Sequence, residues 1–217
     1  MGDVTPRRPA LRAADGTWLG PVAGLAALVV AVLGVLYADA GQPGAVDARI
    51  GAAVYGARPS PSRQVALVID YLGEPVGAAA LVAAIVTGCL LLRRIRAAVV
   101  VVGGAGAAVV TATLLKHVVG RTINGGHLSF PSGHTAFLTA LALLAALLAT
   151  GRLGLGRTAG ALFVLAAALV AGAAMGWAQV ALGAHYPTDV LGGWCTALAV
   201  APATAWLVDT VADAGRR

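Results

Sequence analysis

The sequence of 217 residues has few charged side chains. Only 11% of the residues are Asp, Glu, Lys or Arg, whereas 59% are hydrophobic, and the mean hydropathy is +0.86. Because a soluble domain carries roughly a quarter charged residues, this composition argues against a soluble protein and predicts membrane-spanning segments. The formal net charge of +6 is then interpreted as an excess of basic residues in cytoplasmic loops, not as a sign of nucleic-acid binding.

Cysteine is also scarce. The two cysteines, Cys89 and Cys195, both lie in apolar runs, which favours two buried thiols over a disulfide. A cleavable signal peptide is not expected, because residues 1–17 are polar and the apolar run behind them is too long for a signal-peptide core. The sequence therefore predicts a cytoplasmic tail over residues 1–17 and a retained first span.

Long apolar runs are what the sequence has in quantity. Six of them lie at about residues 18–38, 75–92, 97–115, 134–150, 159–180 and 189–208, each close to the length of one spanning helix. None alternates with a period of 2, so the pattern favours helices over a closed barrel. We predict an all-α integral membrane protein with six transmembrane helices in one bundle. The bundle covers residues 18–208, with an outer linker at 39–74 and a cytoplasmic tail at 209–217.

The arginines predict the orientation of the bundle. With the N-terminus inside, ten of the 15 basic residues fall in cytoplasmic segments and five in outer ones, as the positive-inside rule requires. Both termini are then cytoplasmic, and the segments 117–133 and 181–188 lie outside. The strong Ala, Gly, Val and Arg bias is typical of a GC-rich bacterial source, which makes the expected location the inner (plasma) membrane.

The outer linker is rich in Gly, Pro and Ser. Within it, the apolar residues of "AVDARIGAAVY" recur at helical spacing and predict a short interfacial helix. The next segment, "VALVIDYLGEP", has two interpretations, a second interfacial turn or the outer end of the second span. Asp70 and Glu74 within it either face an aqueous entrance or are solvated charges at the bilayer surface. Elsewhere, the glycines of "VVGGAG" and "LGGW" predict close helix packing.

The rare polar chemistry is concentrated in one stretch, "LLKHVVGRTINGGHLSFPSGHTA". Lys116, the only lysine, ends the third span, and Arg121 offers a planar fork of donors suited to phosphate. Ser132 and Gly133 precede an apolar helix, whose free N–H groups attract anions. The predicted topology puts all of these residues at the same membrane level, which indicates a site for an oxyanion.

A second polar element, "HYPTD", opens the last span at that same level. His134 and His185 are candidates for acid–base or nucleophilic work near neutral pH. Asp189 follows His185 by four residues, so that it can orient one ring nitrogen and leave the other free to attack. His117 and His127 have no evident partner. A metal site is the alternative for four histidines, but their spacing matches no zinc signature.

These motifs resemble those of the type 2 phosphatidic acid phosphatase family. The family pattern joins a Lys with an Arg-Pro seven residues on, a Pro-Ser-Gly-His, and a Ser-Arg followed after five residues by His-x-x-x-Asp. "FPSGHTAF" and "GAHYPTDVLGGW" are closely similar to it, and the resemblance covers roughly residues 105–205.

The resemblance implies a membrane enzyme that hydrolyses a phosphate or diphosphate monoester of a lipid and needs no metal or other cofactor. His185 would form a phosphohistidine, oriented by Asp189, and His134 would protonate the leaving group. Four residues at matching or neighbouring positions would hold the phosphate oxygens: Lys116, Arg121, Ser132 and Gly133. The expected partners are the lipid phosphate substrate and membrane lipids, and the oligomeric state is open.

Two positions depart from the family pattern. Ile123 and Asn124 stand where the family has Arg-Pro, and Ala178-Gln179 stands where it has Ser-Arg. Gln179 can still donate hydrogen bonds to the substrate, but it brings no charge, and charge-assisted bonds are about twice as strong as neutral ones. The alternatives are therefore a phosphotransferase on the same scaffold and a catalytically impaired lipid-phosphate binder. A transporter is less favoured, because the helix centres lack charges.

Overall fold

The computed structural model describes residues 18–54 and 61–215, and these ranges form eight helices and one short hairpin. The predicted N-terminal tail, residues 1–17, lies outside them. The helices are α1 (Leu19–Leu36), α2 (Ala45–Val54), α3 (Pro61–Tyr71), α4 (Pro75–Leu91), α5 (Ile95–Val119), α6 (Gly133–Leu153), α7 (Arg157–Ala181) and α8 (Pro187–Ala214). The hairpin consists of β1 (Thr122–Ile123) and β2 (His127–Leu128), which pair antiparallel between α5 and α6.

All six apolar runs form helices. Five of these, α1, α5, α6, α7 and α8, are long and apolar enough to cross a membrane. A sixth candidate span is the bent pair α3 and α4, with an angle of 58° between the two helices. The fold class predicted from the sequence is therefore confirmed, with five to six candidate spans.

The linker contains more structure than its composition suggests. The short helix predicted from helical spacing is α2, and the ambiguous segment that follows it is a helix of its own, α3. A Pro at the start of α4 and the turn before it separate α3 from α4, because proline begins a helix readily but cannot continue one. At the other end of the chain, α8 extends to Ala214, so the predicted tail at 209–217 is mostly helical.

Helix α6 lies at the centre of the bundle and packs against α5, α7 and α8. The main core cluster consists of small and branched apolar side chains of these helices, with Leu143 and Leu144 of α6 almost fully buried. Many large apolar side chains on the outer faces are exposed, as expected for helices that face lipid.

Glycine allows α8 to approach the beginning of α6 closely, as predicted for "LGGW". A Cβ atom on Gly193 would overlap the backbone carbonyl of Ser132, and one on Gly192 would overlap the ring of Phe130. In "VVGGAG", Gly104 lies against Leu144, whereas Gly106 has open space around it. The α6–α8 contact at this end of the bundle is therefore set by backbone packing, and it positions the polar residues described next.

Candidate functional site

Polar residues from distant parts of the chain meet at one end of the bundle, where α5 and α7 end and α6 and α8 begin. The first turns of α6 and α8 are joined directly, because the backbone N–H of Ser132 donates to the carbonyl oxygen of Asp189 at 2.9 Å. The sequence predicted that these elements converge, and the structure confirms this prediction.

His185 lies in the turn before α8, with only 6% of its surface exposed. Its Nδ1 atom is 3.5 Å from Oδ2 of Asp189, which is longer than a hydrogen bond but places the carboxylate beside that nitrogen. Asp189 is itself fixed, because Oδ2 accepts from the backbone N–H of Tyr186 at 3.0 Å and so caps α8. The predicted His-x-x-x-Asp pair therefore shares one helix start.

The surroundings of His185 favour its neutral form. Burial lowers the pKa of His185 below its usual range, and the charges of Lys116 and His134 act in the same direction, while the carboxylate of Asp189 opposes them. Because the net shift is downward, the imidazole stays unprotonated to a more acidic pH than a free histidine. An unprotonated imidazole is what a nucleophile at this position requires.

The N-terminus of α6 carries the predicted "PSGH" motif. Ser132 is the N-cap, and its hydroxyl oxygen accepts from the backbone N–H of Thr135 at 3.4 Å and from the Thr135 hydroxyl at 3.0 Å. The Ser132 side chain is fully buried, so it serves to fix the helix start. Gly133 opens the helix, and a Cβ there would meet open space. The first-turn N–H groups at Gly133 are the part of the motif that can face an anion.

Lys116 lies in the last turn of α5 and is half-buried. Its charge acts on both His185 and Asp189, which places it within the same group of residues. His117 is exposed, and its Nδ1 is 2.9 Å from the carbonyl oxygen of Thr113 on the same helix. His127 is exposed on β2. The structure thus brings Lys116 into the group and leaves the other two histidines on the surface.

Arg121 requires a correction. Its place in the motif predicts phosphate binding, but the residue is completely buried and its two terminal nitrogens donate to protein oxygens. One nitrogen donates to the Thr188 hydroxyl and to Oδ1 of Asp189, both at 2.6 Å, and the other donates to Oδ2 of Asp47 at 2.6 Å. The guanidinium also stacks between the rings of Tyr37 and Tyr186, at 4.0 and 4.4 Å. Its contacts stabilise the site from within the protein.

Asp47 and Thr188 take part in this arrangement although no sequence motif assigns them a role. Asp47 is in the first turn of α2, 74 residues before its partner Arg121, and is 2% exposed. The sequence could have drawn attention to Asp47 only because acidic residues are rare in this chain, which has nine Asp and Glu in total. Thr188 lies inside the predicted "HYPTD" motif, next to Asp189, and nothing in the motif indicated a role for its hydroxyl.

Gln179, which replaces the family arginine, has its side chain engaged by the protein. It is 2% exposed, and its Nε2 donates to Oδ1 of Asp70. The same oxygen of Asp70 also lies 3.8 Å from Nε2 of His134, and that nitrogen is 3.5 Å from Oε1 of Glu74. The Asp70–Glu74 pair therefore borders His134. Of the two interpretations of this pair, the one at an entrance to the site fits these contacts better.

A cation could also be held here. Among the residues that the structure describes, Asp70, Glu74 and His134 form one group whose ligand atoms lie within 4.8 Å of one another. Two carboxylates and an imidazole suit a divalent cation in kind. The family resemblance implies no metal, and the spacing of these three residues in the chain gives no indication of the group.

The two residues that stand in place of the family Arg-Pro, Ile123 and Asn124, lie in the hairpin. Ile123 is buried within β1, so its side chain contributes to packing. Asn124 forms the turn with φ of 50°, and its side-chain nitrogen donates to the carbonyl oxygen of Gly183 at 2.8 Å. The departure from the family pattern thus ties the hairpin to the turn between α7 and α8, where His185 lies.

Comparison with known proteins identifies similar sequences and folds. The model of the PAP2 superfamily matches residues 114–213, a range that contains Lys116, His134, His185 and Asp189. No curated protein matches the sequence.

Among solved structures, the chain is similar to a transmembrane PAP2-type phosphatidylglycerolphosphate phosphatase from Bacillus subtilis. The TM-score is 0.69 at 22% sequence identity, and the match covers 88% of this chain and 96% of the other. At this identity the similarity establishes a shared fold, and it extends to most of the helices outside the family match.

Proposed function

Because residues 114–213 belong to the PAP2 superfamily, we propose that the protein is a membrane phosphatase that hydrolyses a phosphate or diphosphate monoester of a lipid. Candidate substrates are a polyprenyl diphosphate, a phosphatidic acid and a phosphatidylglycerol phosphate. The observation that carries the proposal is the position of His185, buried beside Asp189 and within reach of the charges of Lys116 and His134. A lipid fits this location, because the site lies at the ends of apolar spans.

In the proposed reaction, Nε2 of His185 attacks the terminal phosphorus of the substrate. The new N–P bond forms as the P–O bond to the leaving group breaks, and His134 donates a proton to the leaving oxygen. Water then attacks the phosphorus of the phosphohistidine while His134 accepts a proton from that water. The new P–O bond forms as the N–P bond breaks, so that inorganic phosphate leaves and His185 is free again. Asp189 holds Nδ1 of His185 throughout, so that Nε2 faces the phosphorus.

Two groups would stabilise the negative charge on the phosphoryl oxygens. Lys116 supplies a positive charge at the end of α5, and the first-turn N–H groups at Gly133 supply donors. Ser132 would act by fixing the start of α6, and Gln179 and Arg121 by fixing their carboxylate partners. We further propose that this end of the bundle faces outward, in an inner (plasma) membrane with both termini in the cytoplasm.

A phosphate-release screen tests the function. Purified protein is incubated with each candidate lipid, with and without a metal chelator, beside His185→Ala and the exposed control His117→Ala. We expect at least one lipid to release phosphate, His185→Ala to lower the rate by roughly 1,000-fold or more, and His117→Ala to match the natural protein. Full turnover by His185→Ala would refute the mechanism, and loss of activity with chelator would show that the reaction needs a cation, for which Asp70, Glu74 and His134 are the candidate ligands.

A second candidate function is supported by one observation. Two carboxylates border His134, and the side chain of Gln179 is committed to one of them, so the site holds less positive charge than the family pattern does. This favours a slow enzyme or a lipid-phosphate binder. In the screen, a binder would retain radiolabelled lipid without releasing phosphate, and a phosphotransferase would transfer the label to a second lipid or sugar.

A further inference from the structure

Asp47 is a buried carboxylate that no part of the proposed mechanism yet uses. It belongs to α2, outside residues 114–213, and lies 74 residues along the chain from Arg121, its nearest side-chain partner. Its Oδ1 accepts from the backbone N–H of Thr188 at 2.9 Å. Its Oδ2 accepts from the Thr188 hydroxyl at 3.0 Å and from Arg121 at 2.6 Å, and also from the N–H of Gly44 at 3.2 Å.

These bonds connect Asp47 to the nucleophile in three steps. Arg121 bridges two carboxylates, with one terminal nitrogen on Asp47 and the other on Oδ1 of Asp189, each at 2.6 Å. Asp189 then presents its second oxygen, Oδ2, to Nδ1 of His185. Because Arg121, Asp47 and Asp189 have no exposed side-chain surface, this chain of charges is shielded from water.

Asp47 gives this chain of charges an excess of one carboxylate over its one guanidinium. The three groups together carry a net negative charge. Asp189, which lies beside the proposed nucleophile His185, is one of the two carboxylates that carry it. Without Asp47, Arg121 would pair with Asp189 alone, and one nitrogen of its fork together with the N–H and hydroxyl of Thr188 would lose their acceptor. Buried donors without partners are costly, so the fork would reorient and draw Asp189 with it.

We propose that Asp47 is a positioning residue for the reaction: through Arg121 and Thr188 it fixes the orientation of Asp189, and thereby that of His185. This inference rests on the proposed function. It assigns a role in the reaction to the linker helix α2, which lies outside the family match, and it explains why Arg121 is buried and not available to the phosphate.

The proposal has an electrostatic consequence with a definite sign. The charged groups that act on His185 are Asp189 of α8, Lys116 of α5 and His134 of α6, and the chain adds Arg121 and Asp47 behind Asp189. The pKa of His185 already lies below its usual range because of burial. Removing the negative charge of Asp47 leaves the positive charge of Arg121 less compensated, so the pKa of His185 falls further. The acidic limb of the activity profile, where His185 becomes protonated, then moves to lower pH.

The test replaces Asp47 by Asn, which keeps the shape and removes the charge. We expect Asp47→Asn to lower kcat by about 10- to 100-fold, as for other groups that orient a reacting side chain, to change KM by less than about threefold, and to shift the acidic limb to lower pH. Asp213→Asn is the matched control. It is the same substitution at a half-exposed residue that pairs with Arg96 near the end of α8, far along the helix from Asp189, and it should behave as the natural protein.

A second variant covers the case in which Asp47→Asn does not fold. Thr188→Val keeps the side-chain volume and the backbone N–H bond to Asp47 but removes the hydroxyl that links Asp47 and Arg121. It should lower kcat in the same direction by a smaller factor. If a folded Asp47→Asn has the kcat and acidic limb of the natural protein, or if Thr188→Val does so where Asp47→Asn is unfolded, the proposal is overturned.

A readout without turnover separates this inference from the proposed function. Titration of the His185 ring nitrogens by ¹⁵N NMR in detergent should show a lower pKa in Asp47→Asn than in the natural protein. If no lipid releases phosphate, the proposed function fails. The ¹⁵N titration of His185 still tests whether Asp47 positions Asp189 and His185. If phosphate is released but neither the titration nor kcat changes, the positioning role fails and the phosphatase stands.

Discussion

At the scale of single residues, Gln179 is where the charge of the site differs from that of the family pattern. Its amide nitrogen is held by Asp70, and Asp70 also faces His134. An arginine at this position would pair with the same carboxylate and bring one positive charge to the border of the site. Charged donors contribute roughly 1.5–3 kcal/mol, compared with about 1 kcal/mol for neutral ones.

We therefore predict that Gln179→Arg raises kcat/KM for an anionic lipid phosphate by about tenfold, the factor that corresponds to 1.4 kcal/mol. Gln179→Glu, of almost unchanged size and opposite charge, should lower it. Steady-state phosphate release over a range of lipid concentrations measures both. An unchanged kcat/KM in the two variants would mean that the charge at residue 179 does not reach the phosphate.

At the scale of helices, the site depends on how closely α8 approaches the first turn of α6. Gly193 faces the backbone carbonyl of Ser132, and backbone cannot yield to an added methyl group as a flexible side chain can. The same crossing contains the bond from the N–H of Ser132 to the carbonyl oxygen of Asp189, so a shift of α8 would separate the two halves of the site.

We predict that Gly193→Ala destabilises the protein by about 1–3 kcal/mol, a cost typical of overpacking, and lowers activity as well. Thermal unfolding in detergent measures the first effect as a lower Tm. Gly106→Ala is the control, since a methyl group on that helical glycine meets no atom within 4 Å. A Tm for Gly193→Ala equal to that of the control would show that α8 has room to move.

At the scale of the whole molecule, the decisive property is which side of the membrane the site faces. The site lies at the end of the bundle that carries the hairpin, and the turn between α6 and α7 lies at the opposite end of α6. His127 on the hairpin is exposed, and Leu153 at the end of α6 is 65% exposed. The native Cys89 and Cys195 are buried, so they add little background to thiol labelling.

Variants that each gain one cysteine at one of these two positions, with the native Cys89 and Cys195 kept, test the orientation. With the site outside, a membrane-impermeant maleimide should label His127→Cys in intact cells, and Leu153→Cys only after the cells are permeabilised. The reverse pattern would place the site in the cytoplasm and contradict the prediction from the arginine distribution.

Much of this molecule could be predicted from local sequence. The all-α membrane fold follows from apolar runs of spanning length, since hydrocarbon leaves the backbone no other partners than its own. The resemblance to the phosphatidic acid phosphatase family, which the PAP2 match confirms, rests on residue types at fixed spacing within short motifs. His185 and Asp189 lie beside each other because both belong to one helix start, which makes their contact a local property of the chain.

What only the tertiary structure decided concerns contacts between segments far apart in the chain. From the sequence, Arg121 is expected to bind phosphate. In the structure, its two terminal nitrogens instead pair with Asp47 and Asp189. Likewise, Gln179 is expected from the sequence to be a weaker substrate ligand than the family arginine. In the structure, its amide nitrogen donates to Asp70. A guanidinium or an amide donates to whichever acceptor the fold brings within about 3 Å. The sequence identifies the donors, but the distances to their acceptors depend on the fold. The polar chemistry was therefore evident from the sequence, and its partners from the packing of the helices.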